Sequence, residues 1–299
     1  MTMSRRSFLQ TAAIAATGIA VVPGANADAV TRPPVCIFSK HLQFLDYPAL
    51  AKTGNALGLD GLDLTVRKGG HVLPENVGSD LPVAVKNIQD VGLSVPMITT
   101  GLKTGSDPTA RPILEAASKL GIKYVRVGGH RYRESGNPAE DLAAIQADLT
   151  SLAAVAAEFG MTAGYHNHSG MGNFAGPLWD LLEVVKAINS PGLGSNFDVG
   201  HATAEGAGGT WDVTARMLAP HVRMMAVKDF VWKDSKIEWL PLGEGVVNTV
   251  EFFKIMKTAG FAGPISIHFE YDVENNDVLL AHMRTAVELT KGYLGEAGW

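Results

Sequence analysis

Two hydropathy patterns alternate along the chain. Short β-branched or apolar runs, suited to strands buried on both faces, recur at Val35–Phe38, Gly61–Thr65, Ser94–Thr99, Tyr124–Val127, Thr162–His166, Leu193–Phe197, Val222–Val227 and Ile265–His268. Longer stretches with helical spacing separate them, among them Pro82–Val91, Thr109–Leu120, Ala139–Phe159, Leu178–Ile188, Val247–Ala259 and Asp277–Leu294. Parallel strands need a crossover of about a dozen residues or more, so this alternation predicts parallel pairing. Eight such units close into an α/β fold, a single-domain (β/α)8 TIM barrel. Before several strands the helix ends on a glycine and an apolar residue follows, at Gly58, Gly121, Gly160 and Gly260. Glycine there relieves the left-handed strain of a helix end. These joints mark the bottom of the barrel. A doubly wound open sheet is the alternative. The segment Phe38-Ser39-Lys40-His41 after the first strand is not the G-x-G-x-x-G turn of a dinucleotide site, so no nucleotide cofactor is expected.

The first residues follow a different pattern. Arg5-Arg6 precede an apolar run from Thr11 to Val22, and Ala25-Asn26-Ala27 offers a small-x-small cleavage site. Residues 1–27 are therefore expected to be a twin-arginine signal peptide, and residues 28–299 the barrel, periplasmic or otherwise exported. The run is shorter than the ~20 residues of a spanning helix, and no later stretch is apolar enough to span a bilayer. The lone Cys36 cannot form an intrachain disulfide, so the core must hold the fold. A net charge of −5 argues against nucleic acid as a partner. A small-molecule substrate is expected instead, with a homo-oligomer compatible with the composition.

In such a barrel the chemistry collects at the C-terminal ends of the strands. The first run is followed by Lys40-His41 and the second carries Asp63. The third ends Thr99-Thr100 and the fourth contains Arg126. The fifth ends His166-Asn167-His168, the sixth reaches Asp198 and His201, the seventh ends Lys228-Asp229, and the eighth ends His268-Phe269-Glu270. Five of the nine histidines fall in this set, which makes it the strongest functional signal in the chain.

Side chains on a strand alternate with period two, so His166 and His168 share one face, as do His268 and Glu270. If the upper residues point inward, His166, Asp198, His268 and Glu270 converge. Imidazole and carboxylate are ligands of zinc, manganese and iron. One reading is therefore a divalent metal on His166, Asp198 and His268, with Glu270 as fourth ligand or base; the other is a metal-free pocket for sugar hydroxyls. Lys228 could stabilise an enolate, or form a bridge with Asp229. Arg126 could grip a carboxylate or phosphate, or be tied to neighbouring carboxylates. Asp63 is a second base or a loop anchor. Gly243-Glu244-Gly245 forms a tight loop whose Glu244, with His41, is a candidate substrate contact. Trp179, Trp211, Trp232 and Trp239 fall mostly on the loop side, where flat faces suit sugar rings or serve packing.

The segments Tyr165-His166-Asn167-His168, Phe197-Asp198-Val199-Gly200-His201-Ala202, Val227-Lys228-Asp229-Phe230, Pro241-Leu242-Gly243-Glu244-Gly245 and Gly263-Pro264-Ile265-Ser266-Ile267-His268-Phe269-Glu270 resemble the xylose isomerase-like TIM-barrel superfamily. More narrowly they are similar to its sugar phosphate isomerase/epimerase members, from the first strand to the last helix. The resemblance implies a carbohydrate substrate and a divalent ion such as manganese, zinc, cobalt or magnesium. The implied ligands are Glu, Asp, His and Glu on strands five to eight. Carried over by position, they read His166, Asp198, Ala226 and His268, or Glu270 if the register slips.

The implied reaction moves a proton next to the carbonyl of a keto sugar, with Glu270, His168, His201 and Lys228 as candidate catalytic groups. Histidine at both glutamate positions leaves open a lyase or hydratase acting on an oxidised sugar. Ala226 leaves open a sugar-binding barrel without catalysis. The superfamily's DNA-repair endonucleases share the barrel, but the acidic balance and export signal argue against them.

Overall fold

The structure, a computed structural model, describes residues Arg32–Trp299. The expected signal peptide lies outside the described residues.

Eight parallel strands close the barrel: β1 (Val35–Phe38), β2 (Gly61–Thr65), β3 (Ser94–Thr99), β4 (Tyr124–Val127), β5 (Thr162–His166), β6 (Leu193–Asp198), β7 (Val222–Val227) and β10 (Ile265–Ile267), with β10 pairing back onto β1. All eight expected strands are present, six with the expected bounds. The sixth runs one residue further, to Asp198, and the eighth stops one residue short, before His268. The helices are α1 (Tyr47–Ala56), α2 (Val77–Asp90), α3 (Ala110–Lys119), α4 (Pro138–Glu158), α5 (Trp179–Ile188), α6 (Val199–Glu205), α7 (Trp211–Leu218), α8 (Thr249–Thr258) and α9 (Asn276–Glu296). No described helix is long and apolar enough to cross a membrane.

Local chemistry explains these elements. Helix α3 buries Ala110, Ile113, Leu114 and Ala117, the i, i+3, i+4, i+7 stripe that faces a core. Each buried Ile or Leu contributes about 1.5–3 kcal/mol of apolar transfer. Gly121 and Gly260 take φ of 77° each at the bottom joints, where a Cβ would be strained.

Helices α1, α6 and α7 were not among the expected helical stretches. Helix α1 has an Asp46 cap and Pro48 in its first turn, a start signal present in the chain. A further hairpin, β8 (Asp229–Lys233) with β9 (Lys236–Leu240), rises after β7. Its turn residues Asp234 and Ser235 both have positive φ, the geometry that matches strand twist in a two-residue hairpin.

Candidate active site

Strand β6 runs into α6 without a loop, and Asp198 serves both. Its Oδ1 caps the helix by accepting from the His201 amide at 2.8 Å. Asn167 clamps the same residue from β5: its Nδ2 donates to the Asp198 carbonyl at 3.0 Å, and its Oδ1 accepts from the Asp198 amide at 2.7 Å. The second carboxylate oxygen, Oδ2, is left pointing into the strand-end cluster. There it meets His166 Nε2 at 3.4 Å, His268 Nδ1 at 4.0 Å and Lys228 Nζ at 3.2 Å.

Lys228 is the hub. Its side chain is 2% exposed. It donates to Glu270 Oε1 at 3.2 Å and meets His201 Nε2 at 2.6 Å. An ammonium has no lone pair, so His201 must accept through Nε2 and carry its proton on Nδ1, where it faces Ser169 Oγ at 2.8 Å. Trp239, from β9, closes over this group with its ring 4.5 Å from the lysine nitrogen. The expected alternative, a Lys228–Asp229 bridge, does not form. Asp229 instead accepts from the amides of Phe230, Gly243, Gly245 and Val247, which shapes the 243–247 loop.

Burial pushes His166, His201 and His268 well below the ordinary imidazole value, and nearby Arg126 or Lys228 adds to the shift. These rings are neutral near pH 7. Burial first, then Arg126, brings His168 to about 4; burial first, then Lys40, brings His41 to about 4. Burial raises Asp198 above its ordinary value against the pull of Lys228. Glu270, at the mouth, also feels burial, but Lys228 outweighs it and holds the group below its ordinary value.

The other expected residues are distributed as follows. His41 Nε2 accepts from the Phe269 amide at 3.1 Å. Arg126 reaches His168 Nε2 at 3.4 Å. Asp63 is sealed inside the barrel, with Oδ1 taken by Thr99 and Oδ2 by Ser266. Glu244 is exposed on its loop, away from the cluster. Phe38, Arg67, Ser169 and Ser266 also contribute, and none of them is among the strand-end candidates named from the sequence. Only Ser266 had a signal, lying two residues before His268 on the same strand face.

A divalent ion fits these residues. Both ring nitrogens of His166 and Nε2 of His268 are buried without a hydrogen-bond partner, and beside them Asp198 Oδ2 has only the Lys228 ion pair. One donor atom from each of the three lies within 4.8 Å of the others. Ligands about 2.0–2.1 Å from a tetrahedral ion stand roughly 3.3–3.4 Å apart, close to the His166–Asp198 separation. Ala226, the Cα partner of both Asp198 and Ser266, offers no ligand.

The chain belongs to the xylose isomerase-like TIM barrel family, whose model matches residues 52–288. An uncharacterised protein of Methanocaldococcus jannaschii is 32% identical over 123 residues, a match spanning 40% of this chain and 40% of that relative. Among solved structures, the xylose isomerase domain protein of Planctomyces limnophilus is 19% identical, with a TM-score of 0.67 over 88% of this chain and 98% of that one. The D-psicose 3-epimerase of Clostridium cellulolyticum, with D-tagatose, is 13% identical, with a TM-score of 0.70 over 87% and 99%. The 3-keto-D-glucoside 4-epimerase of E. coli is 13% identical, with a TM-score of 0.68 over 87% and 100%. At these identities the likeness is one of fold.

Proposed function

We propose that this protein is a sugar isomerase or epimerase that moves a proton next to the carbonyl of a keto sugar. The observation that carries the reading is the pairing of Glu270 with the Lys228 ammonium at 3.2 Å, directly beside the buried His166–Asp198–His268 set. Proton abstraction beside a carbonyl needs an ionised base and a cation to take up the charge on oxygen. Glu270, held ionised by Lys228 and 36% exposed in its side chain, is the base. Lys228 faces the enolate oxygen as it develops. Glu270, protonated by that step, gives the proton back to the neighbouring carbon of the intermediate, and His168, neutral and partly exposed, hydrogen-bonds the substrate beside it. Such positioned transfer contributes about 10²–10⁴-fold. His201 and Ser169 orient the lysine, and Trp239 excludes water above it.

His166, Asp198 and His268 would hold a divalent ion, whose chemistry is polarisation of the substrate carbonyl. Keto-sugar epimerases among the similar folds support the substrate class. Export by the twin-arginine route, with a mature start near Asp28, is part of the same proposal and would be read from the N-terminus of secreted protein.

The test is incubation with a panel of keto sugars in D2O, followed by mass spectrometry, for wild type and Glu270→Gln. Epimerisation leaves the carbon skeleton intact and exchanges one hydrogen for deuterium, with loss in the variant. A product lighter by water favours elimination from an oxidised sugar instead, a reading motivated by histidines at both glutamate positions. No exchange with any keto sugar defeats both and leaves a binding protein. About one divalent ion per chain, lost in Asp198→Ala and His268→Ala, checks the metal set.

A further inference from the structure

We infer that the substrate carries a carboxylate, held by Arg126 and Arg67 beside the Phe38 ring; this rests on the keto-sugar reading and narrows its substrate class to sugar acids. Arg126 projects from β4 and is 8% exposed. Its Nη1 is buried without a hydrogen-bond partner, and Nη2 has only the 3.4 Å contact to His168. Among the described residues no carboxylate oxygen lies within 4.0 Å of it. Asp63, the obvious partner, already has both oxygens engaged by Thr99 and Ser266.

Arg67 follows β2 and is in the same condition, with neither ion pair nor side-chain hydrogen bond among the described residues. The two guanidinium carbons lie 5.3 Å (Arg67) and 5.1 Å (Arg126) from the Phe38 ring centroid, so two like charges share one aromatic residue. Burial holds Arg126 below its ordinary value, and Arg67 adds repulsion.

A buried, unpaired guanidinium carries a large desolvation cost, which an anionic ligand would offset. Its planar fork matches a carboxylate in two parallel hydrogen bonds. Phosphate is the other oxyanion, and it favours a cradle of free backbone amides. The nearby glycine loop cannot offer one, because the amides of Gly243, Gly245 and Val247 are committed to Asp229.

The experiment is titration calorimetry on the folded protein with 5-keto-D-gluconate and with L-sorbose, the same carbon chain bearing a hydroxymethyl in place of the carboxylate. D-fructose 6-phosphate against D-fructose forms the phosphate arm. Wild type should bind the keto acid at least about tenfold more tightly than L-sorbose, equivalent to ~1.4 kcal/mol. That ratio should collapse toward one in Arg126→Gln and shrink in Arg67→Gln. Arg67 is partly exposed, so its variant reports even if Arg126→Gln does not fold. Equal binding of the two sugars, an undiminished ratio in the variants, or no binding of the keto acid at millimolar concentration would overturn the inference. Tighter binding of the phosphate ester than of the keto acid would overturn it in favour of phosphate. Binding is read without turnover, so a failed deuterium exchange and a failed carboxylate preference are separate results.

Discussion

Replacing Lys228 by Met removes the ammonium while keeping much of the side chain's volume. Asp198 is 0% exposed and has no other lysine or arginine within 4.0 Å; its remaining close neighbours, His166 and His268, are neutral. Removing one member of a buried pair strands the other charge, at a cost of about 3–5 kcal/mol. Glu270 adds little, because its carboxylate is partly exposed and can rehydrate. At roughly 2 °C per kcal/mol for a domain of this size, the midpoint of thermal unfolding should fall by about 6–10 °C. In Lys228→Met/Asp198→Asn both charges are gone, and the amide oxygen can still cap α6. Removing a buried pair together is often neutral, so the double variant should recover at least half of the loss. The assay is thermal unfolding of the four proteins of the cycle by circular dichroism, in chelator so that no divalent ion substitutes for the ammonium. If Lys228→Met lies within about 1 kcal/mol of wild type, or the double variant loses the sum of both single losses, the central ion pair is not what holds this cluster together.

Two further outcomes follow from the geometry. Acid should weaken the fold well before the carboxylates of an unfolded chain titrate. His41 and His168 sit at about 4, and His166, His201 and His268 are also lowered, whereas an unfolded histidine titrates near 6.5. Between those values the unfolded chain binds more protons, so stability is full above about pH 6.5 and declines toward pH 4, by up to ~1.4 kcal/mol per pH unit for each histidine. Asp63 and Asp198, raised by burial, work in the opposite direction as the pH falls through their folded values. Urea midpoints that stay flat between pH 7.5 and pH 5 would contradict the picture. Asp229→Ala should cost about 3 kcal/mol, because it leaves four amides without their acceptor. Limited proteolysis should then cut within residues 241–248 faster than in wild type; an unchanged cleavage pattern would mean that the loop holds its shape without the carboxylate.

The barrel was legible because its evidence is local. Runs such as Tyr124–Val127 and Val222–Val227 are buried on both faces, and the glycine joints recur at the same point of several units. What escaped were elements with weak periodicity. Helix α6 is seven residues long and nearly all buried, so it has no polar face to alternate with an apolar one. The β8–β9 hairpin depends on Asp234-Ser235 adopting positive φ without a glycine to announce the turn.

The sequence by itself determined which polar residues stand at the strand ends, because strand position and period two follow from neighbours along the chain. It thereby placed His166, Asp198 and His268 among the candidates for one site. Only the tertiary structure decided which of the candidates meet. Lys228 reaches Asp198 and Glu270 and leaves Asp229 to its loop, Arg126 finds Phe38 and Arg67 and no carboxylate, and Glu244 stays outside. These choices depend on the register between strands far apart in sequence and on how far each side chain extends across a closed barrel. Both are set when the first strand pairs with the last, and no stretch of sequence contains that closure.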